Sequence, residues 1–344
     1  RPIRVAEPTP SPRRPPRRHH NARPSGLPLP APHPPSPSAP SGTRGLAAGP
    51  ALAVSGVTKR FGSVTAVSNL SLEVHAGEVV AFLGPNGAGK TTTIRMLMGF
   101  IRPTSGGCRV LGGSLWERPE LRRRVGYLPG DFRIDPALTG WELLSWFGSL
   151  RGDFDRHRVA ALAERLHLDP SRRFSDLSKG NRQKVGIVQA FMHEPDVLIL
   201  DEPTSGLDPL LQREFLKLVG EARQRGVAVF FSSHVLPEVS KIADRVAIIR
   251  LGKLVTMSTV DELLDRARHG LELRYSTPPP ADLFAGVPGV VSVELSGRDV
   301  SITVDGPVGP AMKAASNVDG LIRVNSAGDD LEQIFVSLLG EDGG

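Results

Sequence analysis

Two groups of residues in this 344-residue chain have the types and spacing to do phosphate chemistry. The first is Gly84, Pro85, Asn86, Gly87, Ala88, Gly89, Lys90 and Thr91, which fits the pattern G-x-x-x-x-G-K-[ST]. Its glycines let main-chain amides turn inward around phosphate oxygens. A helix starting at Thr91 or Thr92 adds the partial positive charge of its first turn. Lys90 is placed to bridge the β- and γ-phosphates of a nucleotide, and the Thr91 hydroxyl to coordinate Mg²⁺. The second group is Asp201 and Glu202, two carboxylates after the apolar run Val197–Leu200. Asp201 is placed to hold Mg²⁺ through water, and Glu202, aimed differently, to polarise an attacking water as general base. Taken alone, this acidic pair reads equally well as a solvated strand end.

These groups need elements to position them, and the sequence supplies strands and helices in alternation. Leu70–Val74, Val79–Leu83, Val197–Leu200, Val227–Ser232 and Val246–Ile249 are apolar or β-branched runs bounded by Gly, Asp, Pro or Ser. Thr91–Met98 and Leu210–Arg225 carry helical patterns between them. Such alternation predicts a mostly parallel sheet covered on both faces. It places Gly84 after one strand, and Asp201 at the C-terminal end of another, the edge where such sheets bind ligands. A more helical stretch covers about 136–194. Thr139 and Glu142 open it with the spacing of a capping box.

The chain ends are different in texture. Residues 1–50 hold 15 of the 31 prolines, 8 of the 42 Lys and Arg, and 1 of the 36 Asp and Glu. A segment of that composition cannot bury enough apolar surface to offset its conformational entropy, so it is predicted to be disordered. Its arginines, among them Arg13, Arg14, Arg17 and Arg18, account for the overall charge of +6. The remaining chain carries 34 basic and 35 acidic residues, which gives no reason to expect a nucleic-acid partner. The tail has no apolar centre of the kind a secretory signal needs, and no run approaches the ~18 apolar residues of a membrane span. The single cysteine, Cys108, reads as a small apolar residue. Residues 270–344 predict a small α/β module. It has a hairpin of Val290–Leu295 with Val300–Val304, and a terminal amphipathic helix over Asp330–Leu339.

Further motifs give the chain a family likeness. Leu177-Ser178-Lys179-Gly180-Asn181-Arg182-Gln183 resembles the signature motif of the ABC ATPases. Ser205-Gly206-Leu207-Asp208 resembles their D-loop, and His234 their switch histidine. Phe61 stands where the family has an aromatic that stacks on adenine; alone, it would read as core. These elements follow the family order from Val54 to Val255. Lys179–Val185, continuing to Phe191–Pro195, resembles the branch serving ABC-2 type multidrug exporters.

The resemblance implies an α/β fold of the P-loop NTPase kind. It has an ABC ATPase domain at 51–269 with a helical subdomain at about 136–194, and a C-terminal dimerisation or regulatory module at 270–344. It implies ATP and Mg²⁺ as ligands, Glu202 as base, His234 on the γ-phosphate, and Ser178, Gly180, Asn181 and Asp208 facing the nucleotide of a second subunit. The subunits would form a head-to-tail homodimer, or a heterodimer with a second ATPase. The dimer would lie peripherally on the cytoplasmic face of the cell membrane and drive export through a separate ABC-2 type permease. Trp141, Trp146 and Phe147 are candidates for the permease contact, or for a small core of the helical region. One departure stands out. Gly130, in Val125–Asp131, occupies the place where the family's Q-loop supplies glutamine. Either Asp131 substitutes or hydrolysis is weaker. Two other readings stay open: a soluble ABC ATPase outside transport, and a weakly hydrolysing regulatory subunit.

Overall fold

A two-residue turn at Gly62 and Ser63 folds β1 (Leu52–Phe61) back on β2 (Val64–Val74). Gly62 supplies the positive φ, 58°, that such a turn requires. β4 (Ser105–Val110) pairs with the other edge of β1, giving an antiparallel sheet in the order β2-β1-β4. This differs from the sequence expectation, which set Leu70–Val74 among the strands of the parallel sheet. The short hairpin is the reason, because parallel neighbours need a long crossover.

The computed structural model describes residues 49–326, apart from 133, 153, 236–238 and 266–267. The proline-rich segment up to residue 48 and the helix predicted over Asp330–Leu339 lie outside the described residues.

The central sheet has six strands. They are β3 (Val79–Leu83), β5 (Val125–Leu128), β6 (Val197–Asp201), β7 (Ala228–Ser233), β8 (Arg245–Arg250) and β9 (Lys253–Thr259). Their order is β5-β6-β7-β3-β8-β9. The first five run parallel and β9 is antiparallel to β8. Both faces are covered, as the unbroken apolar runs require. Val79, Ala81 and Leu83 pack in one core with Leu198, Leu200, Val229 and Phe231. Val80 and Phe82 pack in the other with Val197, Ile199 and Phe230. Each large apolar side chain so buried contributes about 1.5–3 kcal/mol.

The helices occupy the expected places. α1 (Lys90–Leu97) follows β3 and lies on the second core. The helical stretch contains α2 (Gly140–Arg151), α3 (Arg156–Arg165) and α4 (Lys179–Phe191). α5 (Pro209–Gln224) precedes β7. The capping box of α2 is formed: Glu142 N donates to Thr139 Oγ1 at 3.2 Å, and Thr139 N donates to Glu142 Oε2 at 2.7 Å. Trp141 and Phe147 pack against the core of this region. Trp146 is 55% exposed and sets its ring edge-on to Phe147. Cys108 lies against the second core, and burial pushes its thiol up to about 12. Among the described residues no helix is long and apolar enough to cross a membrane.

Beyond these elements lies a four-stranded antiparallel sheet of β10 (Arg268–Tyr275), β11 (Val290–Ser296), β12 (Asp299–Asp305) and β13 (Leu321–Ser326), ordered β11-β12-β10-β13. β11 and β12 form the predicted hairpin. The helix Gly309–Ser316 packs on one face through Ala311 and Ala315.

Candidate nucleotide-hydrolysis site

Three adjacent parallel strands, β6, β7 and β3, end on one edge of the central sheet. That edge gathers the residues singled out by type. Asp201 closes β6, with Glu202 next. Ser232 and Ser233 close β7, followed by His234. Gly84 follows β3 and opens the glycine-rich turn into α1.

The turn is shaped by close packing. A β-carbon at Gly84 would stand 2.4 Å from the Ile249 carbonyl oxygen. Gly89, at φ 109°, would meet the Ala66 carbonyl oxygen at 2.7 Å. No side chain fits at either position, so these glycines fix how closely the loop rests on β8 and β2. Pro85, Asn86, Gly87 and Ala88 form the turn between them, and Thr91 and Thr92 lie in the first turn of α1.

Lys90 is only 6% exposed and its Nζ is fully engaged. It donates to the Gly84 carbonyl at 2.5 Å and to the Pro85 carbonyl at 3.3 Å, and lies 3.3 Å from Glu202 Oε1. Glu202 has a left-handed backbone, φ 49°, unusual for a residue with a side chain. Its other oxygen, Oε2, is 2.7 Å from His234 Nδ1. Glu202 thus joins the lysine that opens α1 to the histidine that follows β7.

Two residues to which sequence reasoning gave no separate role hold this arrangement. Ser232 Oγ donates to Asp201 Oδ1 at 2.6 Å and accepts from Glu202 N at 2.9 Å. Gln183, on α4, donates through Nε2 to the carbonyls of Glu202 and Pro203 at 3.1 and 2.9 Å. Both are buried polar residues, and such groups need partners. Ser232 carries no sequence pattern that would announce this, and the motif that contains Gln183 does not show that its amide meets the Glu202 and Pro203 carbonyls.

The signature segment lies against the D-loop. Ser178 caps α4, its Oγ accepting from Asn181 N at 3.3 Å. A β-carbon at Gly180 would be 2.6 Å from the Gly206 carbonyl oxygen, and Lys179 Nζ donates to Ser205 Oγ at 3.2 Å. Asp208 caps α5, its Oδ1 accepting from the amides of Leu210 and Leu211, both at 3.0 Å. Phe61 ends β1 and is 51% exposed, with Lys59 Nζ 4.9 Å from its ring centre. It stands on the surface rather than in the core.

The oxygen donors fit a magnesium ion. Mg²⁺ prefers one or two protein oxygens together with water and phosphate oxygens. Asp201, 1% exposed, has one carboxylate oxygen held by Ser232, which leaves the other as a fixed anionic donor. Thr91 offers a hydroxyl at the start of α1. Among the described residues no cluster of three or more His, Cys, Asp or Glu forms an all-protein cage.

The ABC transporter family profile matches residues 67–205, from β2 through the carboxylate pair to the D-loop. The bacitracin transport ATP-binding protein BcrA of Bacillus licheniformis is 34% identical over 295 residues, covering 83% of this chain and 95% of that protein. The probable multidrug ABC transporter ATP-binding protein YbhF of Escherichia coli is 37% identical over 213 residues, 60% of this chain and 37% of that one. A solved ATP-binding subunit of an ABC transporter superposes with a TM-score of 0.58 at 30% identity, covering 62% of this chain and 91% of that chain. The dimeric cassette MJ0796 shares the fold, with a TM-score of 0.57 at 21% identity over 61% of this chain and 98% of that one. With the glycine-rich turn, the acidic pair and the histidine on one sheet edge, this likeness shows that the chain belongs to the ABC transporter family, as an ATP-binding and ATP-hydrolysing subunit.

Proposed function

We propose that this subunit hydrolyses ATP at the β6-β7-β3 edge to drive export through a separate ABC-2 type permease. The carrying observation is Glu202, held between Lys90 Nζ at 3.3 Å and His234 Nδ1 at 2.7 Å. In this reading Lys90 leaves the loop carbonyls for the β- and γ-phosphates, which frees Glu202 from its ion pair. Glu202 then takes a proton from water as the water oxygen bonds to the γ-phosphorus and the bond to the bridging oxygen breaks. ADP and inorganic phosphate are the products. His234 positions Glu202 and contacts the γ-phosphate. Mg²⁺, held by Thr91 and Asp201, would neutralise charge on the phosphate oxygens. Phe61 stacks on adenine.

Two subunits pair head to tail, as a homodimer or with a second ATPase. Ser178 and the helix start at Gly180 and Asn181 face the partner's nucleotide, while Asp208 fixes the D-loop by capping α5. The domain limits follow the same reading: ATPase domain 51–269, and a dimerising or regulatory module from 270. Transport is supported by the likeness to BcrA, named a bacitracin transport ATP-binding protein, which spans most of both chains. A permease partner would put the subunit on the cytoplasmic face of the cell membrane, with Trp146, an exposed aromatic of the helical region, as the candidate contact.

Affinity purification of the tagged full chain from detergent-solubilised membranes tests the transport reading. A multi-spanning protein in stoichiometric amount is expected. Recovery with ribosomes or nucleic acid instead would overturn it, and leave the ATPase assignment in place.

A further inference from the structure

Gly130 follows β5 beside the hydrolysis site, at the position where the family likeness leads one to expect glutamine. Its φ lies outside the left-handed region, so the main chain there does not require glycine. The reason for glycine is spatial. A β-carbon at 130 would meet the Asp201 carboxylate first, at 3.2 Å from Oδ2 and 3.3 Å from Cγ, with the Asp201 carbonyl oxygen at 3.6 Å. Those contacts are tighter than ordinary packing, so the carboxylate would have to give way by a few tenths of an ångström. It has little freedom to do so. Oδ1 is pinned by the 2.6 Å bond from Ser232, and the residue is almost fully buried at the end of a central strand.

We propose that Gly130 is a positioning residue for the metal, keeping Asp201 Oδ2 clear for a metal-bound water. A methyl group at 130 would take the space beside Oδ2 that a water needs. In this chain, water would take the place of the glutamine side chain that the family likeness leads one to expect. The inference rests on the reading of Asp201 as the residue that holds Mg²⁺.

The test uses the full chain with Mn²⁺ as the metal probe and a non-hydrolysable ATP analogue. Bound Mn²⁺ is read by electron paramagnetic resonance, and analogue affinity is measured with Mn²⁺ and with a chelator. Gly130→Ala is expected to weaken Mn²⁺-dependent binding about tenfold, equivalent to about 1.4 kcal/mol. Affinity in chelator stays unchanged. Gly130→Ser, which brings the same β-carbon, is expected to show the same metal-dependent loss. In an Asp201→Asn background, Gly130→Ala adds no further metal-dependent loss, because the anionic oxygen that would hold the metal-bound water has gone. Equal Mn²⁺ affinity in wild type and both variants overturns the inference, as does an equal loss with and without metal. If Asp201→Asn itself leaves Mn²⁺ binding intact, the metal reading of Asp201 fails and the inference with it. If Asp201→Asn weakens binding and the Gly130 variants do not, only the role of Gly130 falls.

Discussion

Glu202 is held by more contacts than a surface carboxylate needs. Its amide bonds Ser232, its carbonyl receives Gln183, and its carboxylate meets Lys90 and His234. These contacts hold a left-handed backbone that a β-substituted residue adopts only when its surroundings enforce it. The turn swings the carboxylate from the line of β6 towards the glycine-rich loop. Glu202→Gln keeps the shape and removes the proposed base. Turnover is expected to fall by about 10²–10⁴, and an ATP-bound dimer to accumulate on size exclusion; wild-type turnover would refute the role. Ser232→Ala is expected to be harmful at one remove. It leaves the Glu202 amide without its acceptor and frees Asp201 Oδ1, an expected stability loss of about 1–3 kcal/mol. Denaturant unfolding measures this, and an unchanged midpoint would show that water replaces the hydroxyl.

At the scale of elements, helix starts organise the site's surroundings. Ser178, Asp208 and Thr139 each cap a helix with their own oxygen. Capping α4 and α5 fixes the signature segment and the D-loop against each other, with Gly180 and Gly206 in near contact. Thr139→Ala removes one half of the α2 capping box, far from the sheet edge in sequence. It is expected to cost about 0.5–2 kcal/mol of stability and leave ATP affinity unchanged, read by unfolding midpoint and by nucleotide titration. A matching loss of affinity would mean that α2 is coupled to the site. Gly180→Ala places a methyl 2.6 Å from the Gly206 carbonyl oxygen. Because the main chain must move, ATP-dependent dimerisation is expected to weaken while monomer affinity for ATP persists.

For the molecule as a whole, one buried histidine ties stability to pH. His193 lies just beyond α4, with Nε2 3.2 Å from the Val125 carbonyl oxygen. Burial, aided by the Arg151 and Arg158 charges, pushes its pKa down to about 3. An unfolded histidine titrates near 6.5. Between those values the unfolded chain binds a proton that the folded chain refuses. Stability therefore falls as pH drops below about 6.5, by at most about 1.4 kcal/mol per pH unit from this group. His193→Gln is expected to flatten the slope between pH 6.5 and 5 in denaturant unfolding. An unchanged slope would assign the acid sensitivity elsewhere.

The sequence by itself marked out the candidate residues and their order along the chain. Gly84–Thr91, Asp201 and Glu202 stood out as candidates because phosphate binding demands particular residue types at fixed spacing, next to a strand or helix start. The parallel sheet was legible because strands buried on both faces carry unbroken apolar runs. The hairpin sheet was not, since the β1 and β2 strands give no sign of which edge they pair with until Gly62 turns the chain. Only the tertiary structure decided the strand order, which puts β7 between β6 and β3 and so brings His234, Glu202 and Lys90 within bonding distance. It also decided the parts played by Ser232, Gln183 and Gly130. Their importance comes from which buried group each one faces, and that depends on packing between segments up to dozens of residues apart, which no local pattern records.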